Sequence, residues 1–246
     1  MDAEKKGYLF NIGTSLAAGL IISSMIMGWS YKASKKSADE AITVTGSAKR
    51  RIKSDLVLWN AGVTEEAPAL TDAYKKLSVS IPRIKQYLLD KGIPEEQMVV
   101  SSITTTQLKG HDKDGNETAE IVGYSLSQGI GVRSTDVEKI GQIAREATEL
   151  INQGILIQSE APHYYYTQIG DLKIEMLGEA AKDAKERADR IAQSTGNSIG
   201  AVRSAKMGVL QITAADSTDV SDYGVYDTST IEKDMTAVVN ASFAVD

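Results

Sequence analysis

The sequence predicts an α+β fold: a mainly antiparallel sheet with packed helices, preceded by one N-terminal transmembrane helix. Three observations carry that prediction. An uncharged run opens the chain. Short stretches of alternating apolar and polar residues follow in pairs. Three longer stretches with apolar residues at helical spacing interleave with them.

The uncharged run extends from Gly7 to Tyr31, GYLFNIGTSLAAGLIISSMIMGWSY. As a helix it would measure about 37 Å, enough to cross a hydrocarbon core of roughly 30 Å with some tilt. Tyr8 and Phe10 stand at one end and Trp29 and Tyr31 at the other, as interfacial aromatics do. Leu9, Leu20, Ile21, Ile22 and Ile26 supply the apolar body, and Lys5, Lys6, Lys32, Lys35 and Lys36 flank it. A cleaved signal peptide would have a shorter apolar region and an A-x-A-like site. The best site available is Gly28-Trp29-Ser30, so an uncleaved anchor over residues 1–31 is expected. Counted alone, the flanking lysines place the following domain in the cytoplasm. A short polar linker, residues 32–40, leads to a domain over 41–246.

ITVTGSA reads as a half-buried strand, and a second strand runs from about Asp55 to Glu65. Pro68 opens a helix to Lys91 with Leu70, Ala73, Tyr74, Leu77, Ile81, Ile84 and Leu88 on its inner side. Pro82 removes one backbone bond and predicts a kink, and Gly92 closes the helix. A strand over Met98–Leu108 and its partner over Ala119–Val132 flank HDKDGNETAE. Asp136 can cap a helix that turns Val137, Ile140, Ile143, Ala144, Ala147 and Leu150 inward. ILIQSEAPHYYYT is a further strand. Asp171 caps a helix ending near Gly196, a strand follows over Ile199–Ile212, and TAVVNASFAV is the last. The order strand, helix, strand, strand, helix, strand suggests a duplicated unit, although no repeat is visible in the residues.

Composition removes several function classes. The 246 residues include no cysteine, which excludes thiol chemistry, disulfides and cysteine metal sites. Two histidines, His111 and His163, cannot make a three-histidine site within one chain. A net charge of −6 argues against nucleic acid. In HDKDGNETAE, Asp112, Asp114 and Asn116 occupy positions 1, 3 and 5 of a calcium loop. Position 6 is Glu117 where glycine is needed, and position 12 is Gly123 where glutamate is needed. Asp114-Gly115 between alternating strands signals a hairpin instead. His163 and Tyr165 share a strand face, with Tyr164 and Tyr166 on the other, and no nucleophile–base pattern surrounds them. Residues 214–234 form an acidic segment, five aspartates and one glutamate against one lysine, expected to be a solvated insertion. Its tyrosines, Tyr223 and Tyr226, are candidate partner contacts. No catalytic, cofactor or metal residue is assigned.

In GEAAKDAKERADRIAQST, Ala180, Ala184, Ala188 and Ala192 recur every four residues. The outer face carries opposite charges four apart: Lys182–Glu186, Asp183–Arg187, Lys185–Asp189 and Glu186–Arg190. A coiled coil would need larger residues at alternating positions, so close docking on a sheet is expected. This stretch, followed by SIGAVRSA, resembles the alanine-rich helix and glycine turn of SIMPL-domain proteins. VTGSAKRRIKSDLVLW, LLDKGIPEEQMVVSSI, IVGYSLSQGIGVR and MTAVVNASFAV agree in order, so the resemblance covers nearly all of residues 41–246. One departure is visible: where the family often has a Pro-Ile turn and a later Gly, this chain has Thr230-Ile231-Glu232-Lys233-Asp234.

The resemblance implies a bacterial periplasmic, secreted or membrane-anchored protein. Some relatives are tied to envelope or oxidative stress and some assemble into homo-oligomeric rings, with no established catalytic residues. It also reverses the orientation drawn from the lysines. The expected protein is therefore non-enzymatic, held in the inner membrane by a single span, with a periplasmic domain that self-assembles into a ring or cage. The alternative is a monomeric binding module for a small molecule or an envelope protein, acting through residues 214–234. An enzyme with a site around His163, Tyr165 and nearby carboxylates comes last.

Overall fold

The computed structural model describes residues 16–30 and 40–246. Residues 16–30 form helix α1. Leu20, Ile21, Ile22, Ile26 and Trp29 lie on it, all exposed. Tyr8, Leu9, Tyr31 and most of the linker lie outside the described residues. No helix among the described residues is long and apolar enough to cross a membrane.

After α1 come β1 (Ala41–Lys53), β2 (Leu56–Ala67), α2 (Leu70–Asp90), β3 (Met98–Val100), β4 (Thr104–His111), β5 (Glu117–Ser134) and α3 (Val137–Glu146). Then follow β6 (Ile157–Ser159), β7 (His163–Tyr165), α4 (Ile169–Ser194), β8 (Ile199–Met207), β9 (Gln211–Ala214) and β10 (Glu232–Val245). The α+β class with antiparallel sheets is as expected. Two compact units divide the chain.

The larger unit comprises Lys49–Lys173 and Leu210–Thr236. Its six-stranded sheet has the order β3-β5-β2-β6, with β4 also on β5 and β7 also on β2. β2 and β5 pair without interruption from Val57↔Ser134 to Ala67↔Tyr124. Strand alternation sends Val57, Trp59, Ala61 and Val63 to one face, where they meet Leu126, Ile130 and Val132 in the core. The same core takes Ala73, Leu77, Ile81, Ile84 and Leu88 from α2 and Ile140, Ile143 and Leu150 from α3 and the turn after it. Trp59 is buried, and its ring N–H donates to Ser159 Oγ and the Glu160 carbonyl, both at 3.1 Å. The Asp136 side chain caps α3 through the Lys139 N–H at 3.2 Å.

Several boundaries differ from expectation. Leu70 and Tyr74 do not join the core: they line an open groove, while Ser80 is buried and donates to Glu65 Oε1 at 2.7 Å. The strand expected over Met98–Leu108 is two strands. At Ser101 the side chain takes over a ladder position, accepting from the Gly129 N–H at 3.0 Å. The strand expected at Ile155–Thr167 is likewise β6 and β7; Pro162, which has no N–H to give a ladder, lies between them. As expected, α2 continues through Pro82 as one helix.

The smaller unit holds the first part of β1, Ile174–Val209 and Ala237–Asp246. Here β10 lies between β1 and β8. The single strand expected over Ile199–Ile212 is also two. β8 pairs with the C-terminal part of β10, whereas β9, in the larger unit, pairs with the N-terminal end of β10, Lys233↔Ala214 to Thr236↔Gln211. Ala180, Ala184, Ala188 and Ala192 are all 0% exposed. Ala180 and Ala184 meet the β1 backbone at Gly46: a Cβ there would sit 2.2 Å from the Ala180 carbonyl oxygen and 2.3 Å from the Ala184 nitrogen. No side chain fits at Gly46, and only alanine lets the helix come this near. Beside it Asp183 accepts from the Ser47 N–H at 2.8 Å and pairs with Arg187 at 2.8 Å. Asp171 lies inside the first turn of α4, which begins three residues earlier than a cap at that position would set, so it is not the cap.

Candidate functional site

The acidic segment 214–234 is held by hydrogen bonds over most of its length, contrary to the solvated insertion expected. The Ile212 N–H donates to the Val225 carbonyl and the Asp227 N–H to the Ile212 carbonyl, each at 2.8 Å. The Tyr164 N–H donates to the Thr228 carbonyl at 2.7 Å, and the Ser54 N–H to the Ile231 carbonyl at 2.8 Å. Residues 225–231 thus run as a bridging strip beside β9, β7 and the end of β1.

Two carboxylates organise this strip. Asp227 accepts from the Ser229 N–H at 3.0 Å, Ser229 Oγ at 2.6 Å, Lys233 Nζ at 2.9 Å and the Thr230 hydroxyl. Burial pushes the Asp227 carboxyl up, but the Ser229, Thr230 and Lys233 donors outweigh it and hold the group well below the usual carboxylate range. Lys233, 0% exposed, also donates to the Thr230 carbonyl at 2.5 Å. Lys233 lies in the stretch Thr230–Asp234 singled out in the sequence. Next to it in sequence, Asp234 is buried and accepts from Arg51 Nε at 2.9 Å, Lys49 Nζ at 3.0 Å and the Asp216 N–H at 2.8 Å. The Arg51 hydrogen bond holds its carboxyl well below the usual range, against the opposing effect of burial. Both clusters fasten the segment. Each carboxylate is saturated by donors from the chain, so neither is placed to exchange a proton near neutral pH.

The two candidate tyrosines separate. Tyr226 lies against Tyr165, ring centroids 6.3 Å apart, and belongs to the strip. Tyr223 is 97% exposed, near Val220 at 84%, on the part of the segment that points outward. His163 meets the Thr228 hydroxyl at 3.2 Å through Nδ1. The nearby carboxylate Asp55 is taken by the Thr167 N–H and hydroxyl, both at 2.8 Å. The structure therefore sets His163 and Tyr165 of β7 beside the strip, His163 against Thr228 and Tyr165 against Tyr226. Among the described residues no group of three or more histidines and carboxylates could hold a metal ion.

The DGN hairpin forms as expected. Asp112 accepts from the Asp114 and Asn116 N–H groups, each at 2.9 Å, and Gly115 has φ +84°. The Asn116 N–H chiefly, with the other turn donors, lowers the Asp112 carboxyl.

Two features went unrecognised in the sequence. One is an open groove of about 540 Å³ lined by Leu70, Thr71, Tyr74, Lys75, Ile103, Thr105 and Leu126. Its apolar lining with a few polar groups is the composition of a binding pocket. The helical period marked Leu70 and Tyr74 as apolar, which cannot distinguish a core from a groove. The other is the length to which β4 and β5 run on beyond the sheet.

The family model described as SIMPL, a protein of unknown function (DUF541), matches residues 42–243. The 26 kDa periplasmic immunogenic protein of Brucella melitensis biotype 1 is 25% identical over 116 residues, 46% of this chain and 46% of its own length. The protein of the same description from Brucella abortus strain S19 matches to the same extent. The chain thus spans about half the length of the curated relatives it matches. Among solved structures, the regulatory subunit of aspartate kinase from Thermus thermophilus is 11% identical, covering 82% of this chain and 88% of its own length with a TM-score of 0.19. That likeness carries no argument.

Proposed function

Because this chain belongs to the SIMPL (DUF541) family, we propose that it is a non-enzymatic protein anchored in the inner membrane by its N-terminal run. Its periplasmic domain self-assembles into a homo-oligomeric ring or cage that serves the cell under envelope or oxidative stress. The observation that carries the anchor is α1. Leu16, Leu20, Ile21, Ile22, Met25, Ile26 and Trp29 are all exposed on it, and a helix apolar around its circumference calls for hydrocarbon or a core. The uncharged run extends beyond α1 on both sides, to Gly7 and Tyr31. The periplasmic description of the Brucella relatives supports the orientation.

Alkaline carbonate extraction of bacterial membranes tests the anchor: the full chain is expected in the pellet. Light scattering of the detergent-extracted protein tests the assembly. A chain released by carbonate, or one that stays monomeric in mild detergent, would sink the respective half of this proposal.

A second reading is favoured by the outward side chains of Val220 and Tyr223. A monomeric module would capture a small molecule or an envelope protein through them. Since residues 225–231 are built into the sheets, the informative variant is Tyr223→Ala with Val220→Ala rather than a deletion. Loss of partner capture with an unchanged melting temperature supports this reading, and unchanged capture rejects it.

A further inference from the structure

The β4–β5 ribbon outruns its sheet. Pairing between β2 and β5 stops at Ala67↔Tyr124, whereas β4 and β5 continue to His111↔Glu117. Beyond Tyr124 this arm has two strands only, over about 23 Å of β5. Two strands with no covering layer are marginally stable in water. The register also slips between Leu108 and Lys109, which leaves Val122 without an opposite residue. Residues 111–117 at the tip are all exposed. The arm therefore holds its turn clear of the sheet and can open there without breaking the β2–β5 pairing.

The turn carries Asp114-Gly115-Asn116-Glu117-Thr118. An asparagine followed two residues later by serine or threonine, with no proline between, is the acceptor triplet of N-glycosylation. Bacterial oligosaccharyltransferases read one residue more, an aspartate or glutamate two before the asparagine, and Asp114 stands there. The chain has one other triplet, Asn240-Ala241-Ser242, and two before its asparagine is Val238. That triplet lies inside β10, between β1 and β8, with Ala241 buried and the Asn240 amide donating to Thr45 Oγ1 at 3.2 Å. A transferase draws its acceptor out as an extended segment, which a central strand forbids and a hairpin tip permits. At the tip the bonds to be released are local: Asn116 Nδ2 donates to Asp112 Oδ2 at 3.2 Å, and the Thr118 hydroxyl to the Gly110 carbonyl at 3.1 Å.

We infer that the tip of the arm is an N-glycosylation site, with Asn116 the residue that bears the glycan. The inference rests on the periplasmic placement proposed above, because this transfer takes place outside the cytoplasm. Nδ2 of Asn116 attacks the anomeric carbon of an oligosaccharide carried on a lipid pyrophosphate. A carbon–nitrogen bond forms, the carbon–oxygen bond to pyrophosphate breaks, and the lipid pyrophosphate leaves as the amide gives up one proton. The Thr118 hydroxyl and the Asp114 carboxylate are recognition contacts for the enzyme and take no part in the bond making.

The test incubates the purified full-length protein, in mild detergent, with a bacterial single-subunit oligosaccharyltransferase and its lipid-linked oligosaccharide. Trypsin cuts after Lys113 and Arg133, so Asn116 falls on the peptide 114–133. That peptide is expected to gain the mass of one oligosaccharide. Asn116→Gln and Thr118→Val should abolish the gain, Thr118→Ser should keep it, and Asp114→Ala should lower it at least tenfold. Asn240→Gln should change nothing. A folded protein that stays unmodified while a generic acceptor peptide is modified in the same reaction overturns the inference, as does modification at Asn240 in place of Asn116. Coexpression of the chain with the enzyme in a bacterium tests the placement separately, because the enzyme's active site faces the periplasm. A gain in vitro that is missing in cells leaves the acceptor standing and overturns the periplasmic placement.

Discussion

Helices α2 and α4 are buried in opposite ways. α2 lays Leu77, Ile81, Ile84 and Leu88 on its sheet, so side-chain volume fills the space between helix and strands. α4 lays down Ala180, Ala184, Ala188 and Ala192, and its backbone comes up against that of β1 at Gly46. The first contact gains stability from apolar area removed from water. The second gains it from closeness, and it loses little when a side chain shrinks because there is little to lose. The lesson is an asymmetry. The α2 contact is sensitive to truncation and tolerant of swaps of equal volume, whereas the α4 contact is sensitive to any addition.

The largest effect should come from adding atoms at Gly46. Gly46→Val places side-chain carbon inside the α4 backbone, and neither partner there is the flexible end of a side chain. A loss of more than about 3 kcal/mol, at the upper end of overpacking costs, is expected in urea unfolding. Near-wild-type stability would mean that α4 does not dock this closely. Truncation on the other helix comes next. Leu77→Ala should cost about 2–5 kcal/mol through lost transfer energy and a cavity, while Leu77→Met should cost less than about 1.5 kcal/mol. Truncation on α4 is milder: Ala184→Gly should cost about 1 kcal/mol, the difference in helix propensity alone. Equal losses for Leu77→Ala and Ala184→Gly would erase the contrast.

The smallest effect is electrostatic. The Asp183 carboxyl lies below its ordinary value, first because the Ser47 N–H donates to it and then because of Arg187. A lowered folded value means stability that is present above the unfolded pKa of about 3.9 and is lost as pH falls through the folded pKa. Thermal melts from pH 5 downward should therefore show a shallower acid decline in Asp183→Asn than in wild type. Parallel declines would remove Asp183 from the docking contact.

The same contrast explains what could be read from residues alone. The alanine period announced close docking, since a helix that spends four successive inner positions on alanine has one physical use for them. Gly46 did not announce itself: a contact made by backbone leaves no side chain to notice. Core positions on α3 were legible from spacing. Leu70 and Tyr74 share their period with the core of α2, and only the position of the sheet edge decides that they line a groove. Lys233 and Asp234 read as part of a solvated acidic segment because charge normally means water. Lys233 is taken by Asp227 six residues away, whereas Asp234 is taken by Arg51 and Lys49, far away in the chain. A partial signal did exist, since both stand near the start of a strand, β10, on which apolar residues recur. The reach of the β4–β5 arm was hidden because expected strand ends stopped at the loss of alternation, while hydrogen bonding continues to His111 and Glu117.

Electron microscopy of the full-length chain extracted in mild detergent tests the central claim of an anchored, self-assembling protein most directly. Closed, multi-subunit particles of one size, with detergent confined to one region, are the predicted result. A field of single-chain particles at the same concentration would contradict it.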